Sequence, residues 1–282
     1  MMPELPEAIA MQLAELALSE TARKAYQQML HRLGQQLLVL PSPQVIGISG
    51  AQGTGKSTLA RLLAGLLNAN GIKAAAVSLD DYYLSRAARH RLAADIHPLL
   101  AQRGVPGTHH IQQAIADARA VLQGQPVSLP QFDKAQDEPV AALPAQQYQV
   151  LLVEGWCLGI AAQSDTELRQ PLNPLERQQD PEGYWRHYVN RQLAGPYAAY
   201  WQLLHPLIWL KAPDWQAVCR WRANQEQVLW QQCGSGMSDA ELARFMLSFQ
   251  RLTEAGWQQL PQRADYIITL DQQQQPLLPV NG

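Results

Sequence analysis

Five short apolar runs along the chain predict the strands of a buried parallel sheet. They cover residues 45–49, 72–79, 150–153, 206–210 and 266–270. Runs of this length without polar alternation are typical of strands that are covered on both faces. Segments with apolar residues at mixed spacings of three and four, such as 7–38 and 56–68, predict amphipathic helices between them. Strands that alternate with helices favour an α/β fold, here a three-layer sandwich around about five parallel core strands.

Breaks in this pattern divide the chain into an extension, a main domain and a tail. Residues 1–40 are predicted to form a helical extension, which two prolines separate from the rest. The main domain covers residues 41–271 and is interrupted by long insertions at 85–149 and 155–205. Residues 272–282 begin with four glutamines and predict a solvated polar tail.

Composition narrows the classes of partner. The 282-residue chain carries 22 basic and 24 acidic side chains, a formal net charge of −2, and 36 glutamines supply much of its polarity. Hydrophobic residues make up 47% of the sequence, which excludes disorder of the whole chain. Because the charge is nearly balanced, we expect neither a nucleic acid polymer nor an anionic membrane as a partner. Composition leaves the oligomeric state open.

The sequence also predicts the compartment. No apolar stretch approaches the roughly 18 residues of a membrane span, and the acidic segment 1–20 lacks the basic start of a signal peptide. The three cysteines, Cys157, Cys219 and Cys233, are odd in number and lack metal-ligand spacing. These features predict a cytoplasmic protein whose cysteines are small packing residues.

A glycine-rich loop after the first predicted strand carries the strongest chemical signal. Residues 50–57, GAQGTGKS, fit the pattern G-x-x-x-x-G-K-[ST] in full. Glycines let the loop direct its N–H groups at phosphate oxygens, and the helix that follows adds the positive end of its dipole. Lys56 is expected to reach the β- and γ-phosphates, Ser57 to coordinate Mg²⁺ and Thr58 to contact the α-phosphate. The predicted ATP-binding residues are Gly50, Ala51, Gln52, Gly53, Thr54, Gly55, Lys56, Ser57 and Thr58.

Acidic residues follow two other predicted strands, at the end of a parallel sheet where the phosphate loop should lie. Asp80 and Asp81 follow the run 72–79, and Glu154 follows 150–153 in a pattern that resembles a Walker B strand. A phosphoryl transferase needs a carboxylate near Mg²⁺ and a group that orients or deprotonates the acceptor hydroxyl. We predict Glu154 as the metal-supporting acid and Asp80 as the base and a further metal contact. Helix capping is the alternative, and for Asp81 it is equally favoured.

Further motifs, in chain order, resemble those of one group of kinases. SLDDYYL at 78–84 resembles the aspartate-aromatic motif of the phosphoribulokinase, uridine kinase and pantothenate kinase group. RGVPGTH at 103–109 and LPQFDK at 129–134 are similar to the RG-x-PGTH-D and LP-x-[YF]-DK motifs of plant-type D-glycerate 3-kinases. EGW at 154–156, WR at 221–222 and GMSD at 236–239 match other elements of that branch.

This resemblance implies a P-loop kinase fold with helical insertions and ATP-dependent transfer to a hydroxyl of a small anionic metabolite. D-Glycerate, giving 3-phosphoglycerate, is the first expectation, with ATP as co-substrate and Mg²⁺ as cofactor. The catalytic residues that it implies are Lys56, Asp80, Glu154 and Arg222, the last from a lid that neutralises transferring charge. The substrate-binding residues that it implies are Asp81, Tyr83, Arg103, His109, Asp133 and Lys134.

The acceptor side carries one departure from that branch. The branch has Asp after the histidine of PGTH, whereas this chain has His110, which changes the charge at that point. Arg103 and Lys134 are the nearest cations for a glycerate carboxylate. Anchoring of a loop by Arg103 and solvation of Lys134 beside Asp133 are equally favoured explanations.

Other functions stay open on the sequence. The chain is alternatively a kinase of a nucleoside, pantothenate or a sugar, a P-loop ATP-binding protein with a regulatory role and little turnover, or an ATPase that acts on a partner protein. The insertion at 85–149 offers room for an acceptor pocket, which an ATPase does not need. This favours the kinase.

Overall fold

A computed structural model describes residues 6–16, 18–234 and 236–277 of the chain. Its strands are β1 Gln44–Gly50, β2 Ala74–Ser78, β3 Gln131–Asp133, β4 Glu138–Val140, β5 Val150–Gly155, β6 Leu207–Lys211 and β7 Tyr266–Thr269. Its helices are α1 Glu7–Ala14, α2 Glu20–Leu38, α3 Lys56–Ala69, α4 Arg86–Asp95, α5 Ile111–Leu122, α6 Asp165–Arg169, α7 Pro174–Gln179, α8 Tyr184–Gln192, α9 Ala198–Trp201, α10 Trp215–Cys233 and α11 Asp239–Gln259. None of these helices is both long and apolar enough to cross a membrane.

Five of the described strands form one parallel sheet in the order β2-β5-β1-β6-β7. The predicted α/β class and the five core strands are therefore confirmed. β5 lies between β1 and β2, so Glu154 stands opposite Ile48 on one side and Ser78 on the other. This order brings the ends of β1, β2 and β5 together at one edge of the sheet.

Helices cover both faces of the sheet, and alternate residues of each strand point to opposite faces. Leu151 and Val153 belong to a core completed by α5, by the aromatic residues of α8 and α9, and by much of α11. Val150 and Leu152 belong to a second core, which α1, α2, α3 and α10 complete. The result is the three-layer sandwich that the alternation of strands and helices predicted.

The N-terminal helices belong to the helical layer that forms the second core. The predicted helix over 7–38 is two helices, α1 and α2, because Ser19 caps the start of α2 by accepting a hydrogen bond from the Ala22 N–H at 3.2 Å. Both helices contact α3, and Leu13 and Leu33 are fully buried. Residues 1–5 and 17 of the predicted extension lie outside the described residues.

The two insertions are structured. The first contains the antiparallel hairpin β3–β4, which the apolar pattern did not predict because its strands have three residues each. In the second, Arg186 contacts Asp180 at 3.0 Å, and Arg251 of α11 contacts Glu176 at 2.6 Å. Both contacts are buried: the first holds the insertion together, and the second fixes it against α11.

Residues 272–277 of the predicted polar tail make contacts with the domain, although Gln272 and Gln273 are exposed. Leu270 pairs with Pro276 in a β-bridge, and the Gln272 side chain donates to Asp214 at 2.6 Å. Gln274 donates to the carbonyl of Gly53 in the phosphate loop. Tertiary contacts, which glutamine composition does not reveal, thus hold this segment. Residues 278–282 of the predicted tail lie outside the described residues.

Cysteine environments vary along the chain. Cys157 is fully buried, as expected of a packing residue, and Cys219 is partly buried. The side chain of Cys233 lies outside the described set.

Candidate active site

An open cleft of about 300 Å³ lies where β1, β2 and β5 end. Residues predicted from the sequence line it together with residues from α10 and α11. The lining residues are Gln52, Gly53, Gly55, Lys56, Ser57, Thr58, Asp80, Tyr83, Arg103, Lys134, Glu154, Gly155, Trp156, Arg222, Gln225, Phe245 and Phe249. The position matches the crevice at the carboxyl ends of parallel strands where α/β proteins bind their ligands.

The phosphate loop connects β1 to α3 and closes one side of the cleft. Gly53 adopts a φ of +78°, and a Cβ there would lie 2.7 Å from the Cβ of Trp221, so only glycine fits. Thr54 donates to the Ala51 carbonyl at 2.8 Å inside the loop. Gly50, Ala51 and Thr54 thus form its buried inner side, while the other six predicted ATP-binding residues line the cleft.

Lys56, at the start of α3, is the central cation of the loop. Its Nζ donates to the Ala51 carbonyl at 3.0 Å. Loss of hydration on burial lowers the pKa of Lys56, although the negative charges of Glu154 and Asp80 oppose that change. Triphosphate oxygens would favour the charged form further, so this ammonium is suited to an anionic ligand.

A hydroxyl and a carboxylate meet beside the loop. Ser57 Oγ donates to Glu154 Oε1 at 2.7 Å, and Glu154 is buried at the end of β5. These are the hard oxygen donors that Mg²⁺ prefers, and Mg²⁺ sites of this kind usually take further oxygens from phosphates. The described residues contain no cluster of three or more His, Cys, Asp and Glu side chains able to hold a metal alone. The donor set therefore fits a metal that arrives with a nucleotide.

Asp80 faces the loop from the short 3-10 turn Leu79–Tyr82 after β2. Its Oδ2 accepts from Lys134 Nζ at 2.7 Å and its Oδ1 accepts from Tyr83 Oη at 2.8 Å. Burial alone would raise the pKa of Asp80, but the ammonium of Lys134 and the two hydrogen bonds outweigh burial and lower it. Asp80 is thus a carboxylate at neutral pH, with lone pairs left to accept another hydrogen bond.

The hairpin β3–β4 brings Lys134 to the cleft and is itself fixed by arginines. Asp137 pairs with Arg103 and with Arg89, whose side chain is 1% exposed. Arg86 approaches the same carboxylate at 3.6 Å. Three guanidinium groups around one carboxylate leave an excess of positive charge beside the cleft. Since Arg103 lines the cleft, that excess is available to an anion.

His109 lies behind the cleft wall, which corrects the expectation that it faces the acceptor. It is 4% exposed and stacks on Tyr83 with ring centroids 4.5 Å apart. Its Nδ1 lies 2.6 Å from Tyr197 Oη, and no hydrogen bond to its Nε2 is found among the described residues. Burial lowers the pKa of His109 to about 4, so the ring is neutral at pH 7. His109 therefore supports Tyr83 rather than lining the cleft.

Two other predicted substrate-binding residues have local structural roles. Asp81 accepts from the Ser78 N–H at 3.0 Å in a capping box, the alternative that the sequence left open. Asp133 accepts from the N–H groups of Ala135 and Gln136 at 2.8 and 3.0 Å, in the turn of the hairpin. Neither carboxylate lines the cleft. Asp and Asn commonly serve in such turns, so residue type alone did not distinguish the two roles.

α10 places Arg222 over the phosphate loop. The backbone N of Arg222 would lie 3.3 Å from a Cβ at Gly53. Its guanidinium lies 2.6 Å from Glu226 Oε2, one helical turn further along. Arg220 instead contacts Gln272, as expected for residues two apart on a helix.

Several residues of this region are not identified by any sequence pattern. Asp137 and Tyr197 sit in segments without a chemical motif, and only their long-range contacts reveal them. Phe249 packs edge-on against Trp156 at 4.9 Å and, with Phe245 of the same helix, forms an apolar wall of the cleft. The helical spacing of the two phenylalanines signals burial but not its location.

Comparisons with known proteins identify kinases among the relatives of this chain. No protein-family model matches the chain. It is 33% identical over 242 residues to the uncharacterized kinase mug58 of Schizosaccharomyces pombe, covering 81% of this chain and 82% of that relative. It is 26% identical over 259 residues to the chloroplastic D-glycerate 3-kinase of Arabidopsis thaliana, covering 84% of this chain and 54% of that longer protein.

A solved structure shows the same fold. The D-glycerate 3-kinase of Cryptococcus neoformans superposes with a TM-score of 0.73 at 22% identity, covering 94% of this chain and 99% of that one. The chain therefore belongs to the same kinase family as mug58, it has the fold of the P-loop kinases, and it is an ATP-dependent kinase of a small molecule.

Proposed function

We propose that this kinase transfers the γ-phosphoryl group of ATP to a hydroxyl of D-glycerate, giving 3-phosphoglycerate. The observation that carries the proposal is the position of Asp80, which faces the phosphate loop across one cleft and is flanked by Lys134 and Tyr83. The names of the plant and fungal relatives support the choice of glycerate.

The nucleotide side of the cleft binds and neutralises phosphate. The N–H groups of the loop and the start of α3 cradle the phosphates, and Lys56 contacts the transferring group. Ser57 and Glu154 would hold Mg²⁺ with the nucleotide, whereas Asp80, whose two oxygens accept from Lys134 and Tyr83, is assigned to the acceptor rather than to the metal. When bound, the metal neutralises charge on the phosphates. Arg222 reaches the same group from α10.

Asp80 orients the acceptor hydroxyl and accepts its proton. Because Lys134 and Tyr83 each occupy one of its oxygens, the carboxylate cannot rotate freely and its remaining lone pairs point in fixed directions. Burial raises the pKa of Tyr83 well above its usual value, so this phenol stays a donor throughout the working pH range. The low pKa of Asp80 keeps it ready as a carboxylate.

The acceptor's carboxylate is recognised by cations on the hairpin side. Arg103 offers a planar fork for two parallel hydrogen bonds, and Lys134 offers a point charge beside Asp80. The guanidinium of Arg103 lies 5.6 Å from the ring centroid of Phe132, which limits its movement. His110, the departure from the branch, is exposed at the N-cap of α5 and does not line the cleft, which supports glycerate as the acceptor despite the changed charge there.

A substrate screen tests the proposal. Purified protein is incubated with Mg-ATP and one of D-glycerate, L-glycerate, nucleosides, pantothenate or sugars, and ADP release is followed. We expect D-glycerate to stimulate ADP release most and the product to be 3-phosphoglycerate by phosphorus NMR. Stronger stimulation by another acceptor refutes glycerate. ADP release that no acceptor changes points to an ATPase, and no release with intact ATP binding points to a regulatory binding protein.

A further inference from the structure

The helix that carries Arg222 also carries a buried carboxylate with two separate partners. Glu226 is 4% exposed on α10, whereas glutamates are mostly exposed in folded proteins. One oxygen, Oε2, lies 2.6 Å from the Arg222 guanidinium without the alignment of a straight hydrogen bond. The other, Oε1, accepts from the Met237 N–H at 2.7 Å. A carboxylate shared in this way links a cleft residue to the connection between α10 and α11.

Burial distinguishes this contact from an ordinary pair on a helix surface. Exposed pairs four residues apart contribute only a few tenths of a kcal/mol, because water screens them and both side chains move. Here the side chains are 18% and 5% exposed. A charged carboxylate in such a place must be matched by its partners, and Arg222 is the cation that matches it. The pair thus fixes the direction of Arg222.

The connection between α10 and α11 holds Glu226 in turn. The indole of Trp230 donates to the Met237 carbonyl at 3.1 Å. Met237 is therefore held through both its N–H and its C=O. The next residue, Ser238, caps α11 in a box with Glu241. Gly236 to Asp239 is the GMSD sequence, for which the phosphate chemistry leaves no role.

We propose that Glu226 is a positioning residue: it orients the Arg222 guanidinium towards the transferring phosphate, and the segment 236–239 holds Glu226 in place. The inference rests on the proposed role of Arg222. Arg222 neutralises charge that is greatest at the γ-phosphate, so correct orientation favours ATP over ADP. GMSD then acts as a structural support for the nucleotide site, although its residues do not line the cleft.

Nucleotide affinities measured by calorimetry test the proposal without any acceptor. The proteins are wild type, Glu226→Gln, Arg222→Ala and the double variant, each with Mg-ATP and Mg-ADP. Glutamine keeps an acceptor for the Met237 N–H but loses the charge that pairs with Arg222. We expect Glu226→Gln to weaken Mg-ATP binding about fivefold and to change Mg-ADP binding by less than about twofold. In the Arg222→Ala background the same change has no further effect on Mg-ATP.

Several results of the same measurements would overturn the proposal. A bystander carboxylate near a polyanion would repel it, so its removal would strengthen Mg-ATP binding, and that result overturns the proposal. Equal weakening of ATP and ADP, an unchanged ATP affinity, or the same loss with and without Arg222 overturns it as well. Glu241→Gln is the matched control, since it removes a charge next to the same segment, keeps an acceptor for the Ser238 N–H and does not touch Arg222, and both affinities should be unchanged.

Two further measurements keep the test decisive. If Glu226→Gln does not fold, Glu226→Asp keeps the charge but withdraws it by one methylene from the Arg222 guanidinium, so it should also reduce the preference for ATP. Where an acceptor is found, kcat should fall in Glu226→Gln with little change in the acceptor KM. Failure of the glycerate proposal appears only in the acceptor screen, whereas failure of this one appears in the nucleotide affinities.

Discussion

Substitution of Asp80 by Asn separates chemistry from nucleotide binding. Asparagine keeps the shape of the side chain and an oxygen for the Tyr83 hydrogen bond, but it cannot accept the proton of an acceptor hydroxyl. A positioned general base contributes about 10²- to 10⁴-fold to rate, so we expect kcat with D-glycerate to fall by that factor.

The structure also fixes the direction of the effect on ATP. The negative charge of Asp80 favours the protonated form of Lys56, which binds phosphate. Asp80 also lines the cleft that the nucleotide phosphates enter, so the same charge repels them. Removal of that negative charge leaves Lys134 without its partner and makes the cleft more positive. Mg-ATP affinity should therefore stay within about twofold of wild type or increase.

Coupled ADP release gives kcat, and calorimetry gives the Mg-ATP affinity of the same preparations. Asp81→Asn is the control, because Asp81 caps a turn outside the cleft. It should keep kcat near wild type and cost little stability, because Asn retains an oxygen that can accept from the Ser78 N–H. Asp80→Asn protein with more than a third of wild-type kcat would refute the role of Asp80 as base, and a large loss of ATP affinity would assign it to nucleotide binding instead.

Three further results are expected. Lys56→Ala should lose Mg-ATP binding in calorimetry by at least about tenfold while unfolding at the wild-type urea concentration, and an unchanged affinity would contradict the phosphate-loop assignment. Arg103→Met should raise the acceptor KM by about tenfold or more with the ATP KM unchanged, and the reverse pattern would place Arg103 on the nucleotide side. The pKa of His109 falls from 6.5 to about 4 on folding, so the unfolded chain binds more protons between these values and stability decreases as pH falls through them. Acidification from pH 7.5 to 5 should cost about 2 kcal/mol through this residue, and urea unfolding of His109→Asn should show a smaller pH effect; an equal effect in both proteins would be evidence against a buried neutral ring.

Much of the fold and of the nucleotide site follows from local sequence. The strands at 44–50 and 150–155 and the helix at 56–69 lie within a few residues of their predicted places, because buried strands and amphipathic helices have short, characteristic periods. The phosphate loop is likewise contained in nine consecutive residues. Asp80 and Glu154 follow strands whose ends meet, so their approach to the loop was predictable from topology alone.

The acceptor side depends on contacts that no local pattern encodes. Lys134 meets Asp80 across 54 positions of the chain, and Asp137 meets Arg89 across 48. Predictions for His109, Asp81 and Asp133 named chemically suitable residues, but packing placed the first behind Tyr83 and used the other two in turns. The sequence by itself thus determined an α/β fold with a phosphate-binding loop, since one strand, one loop and one helix suffice to specify that loop. Only the tertiary structure decided which charges surround the acceptor, because their distances are set by the packing of the insertions on the sheet.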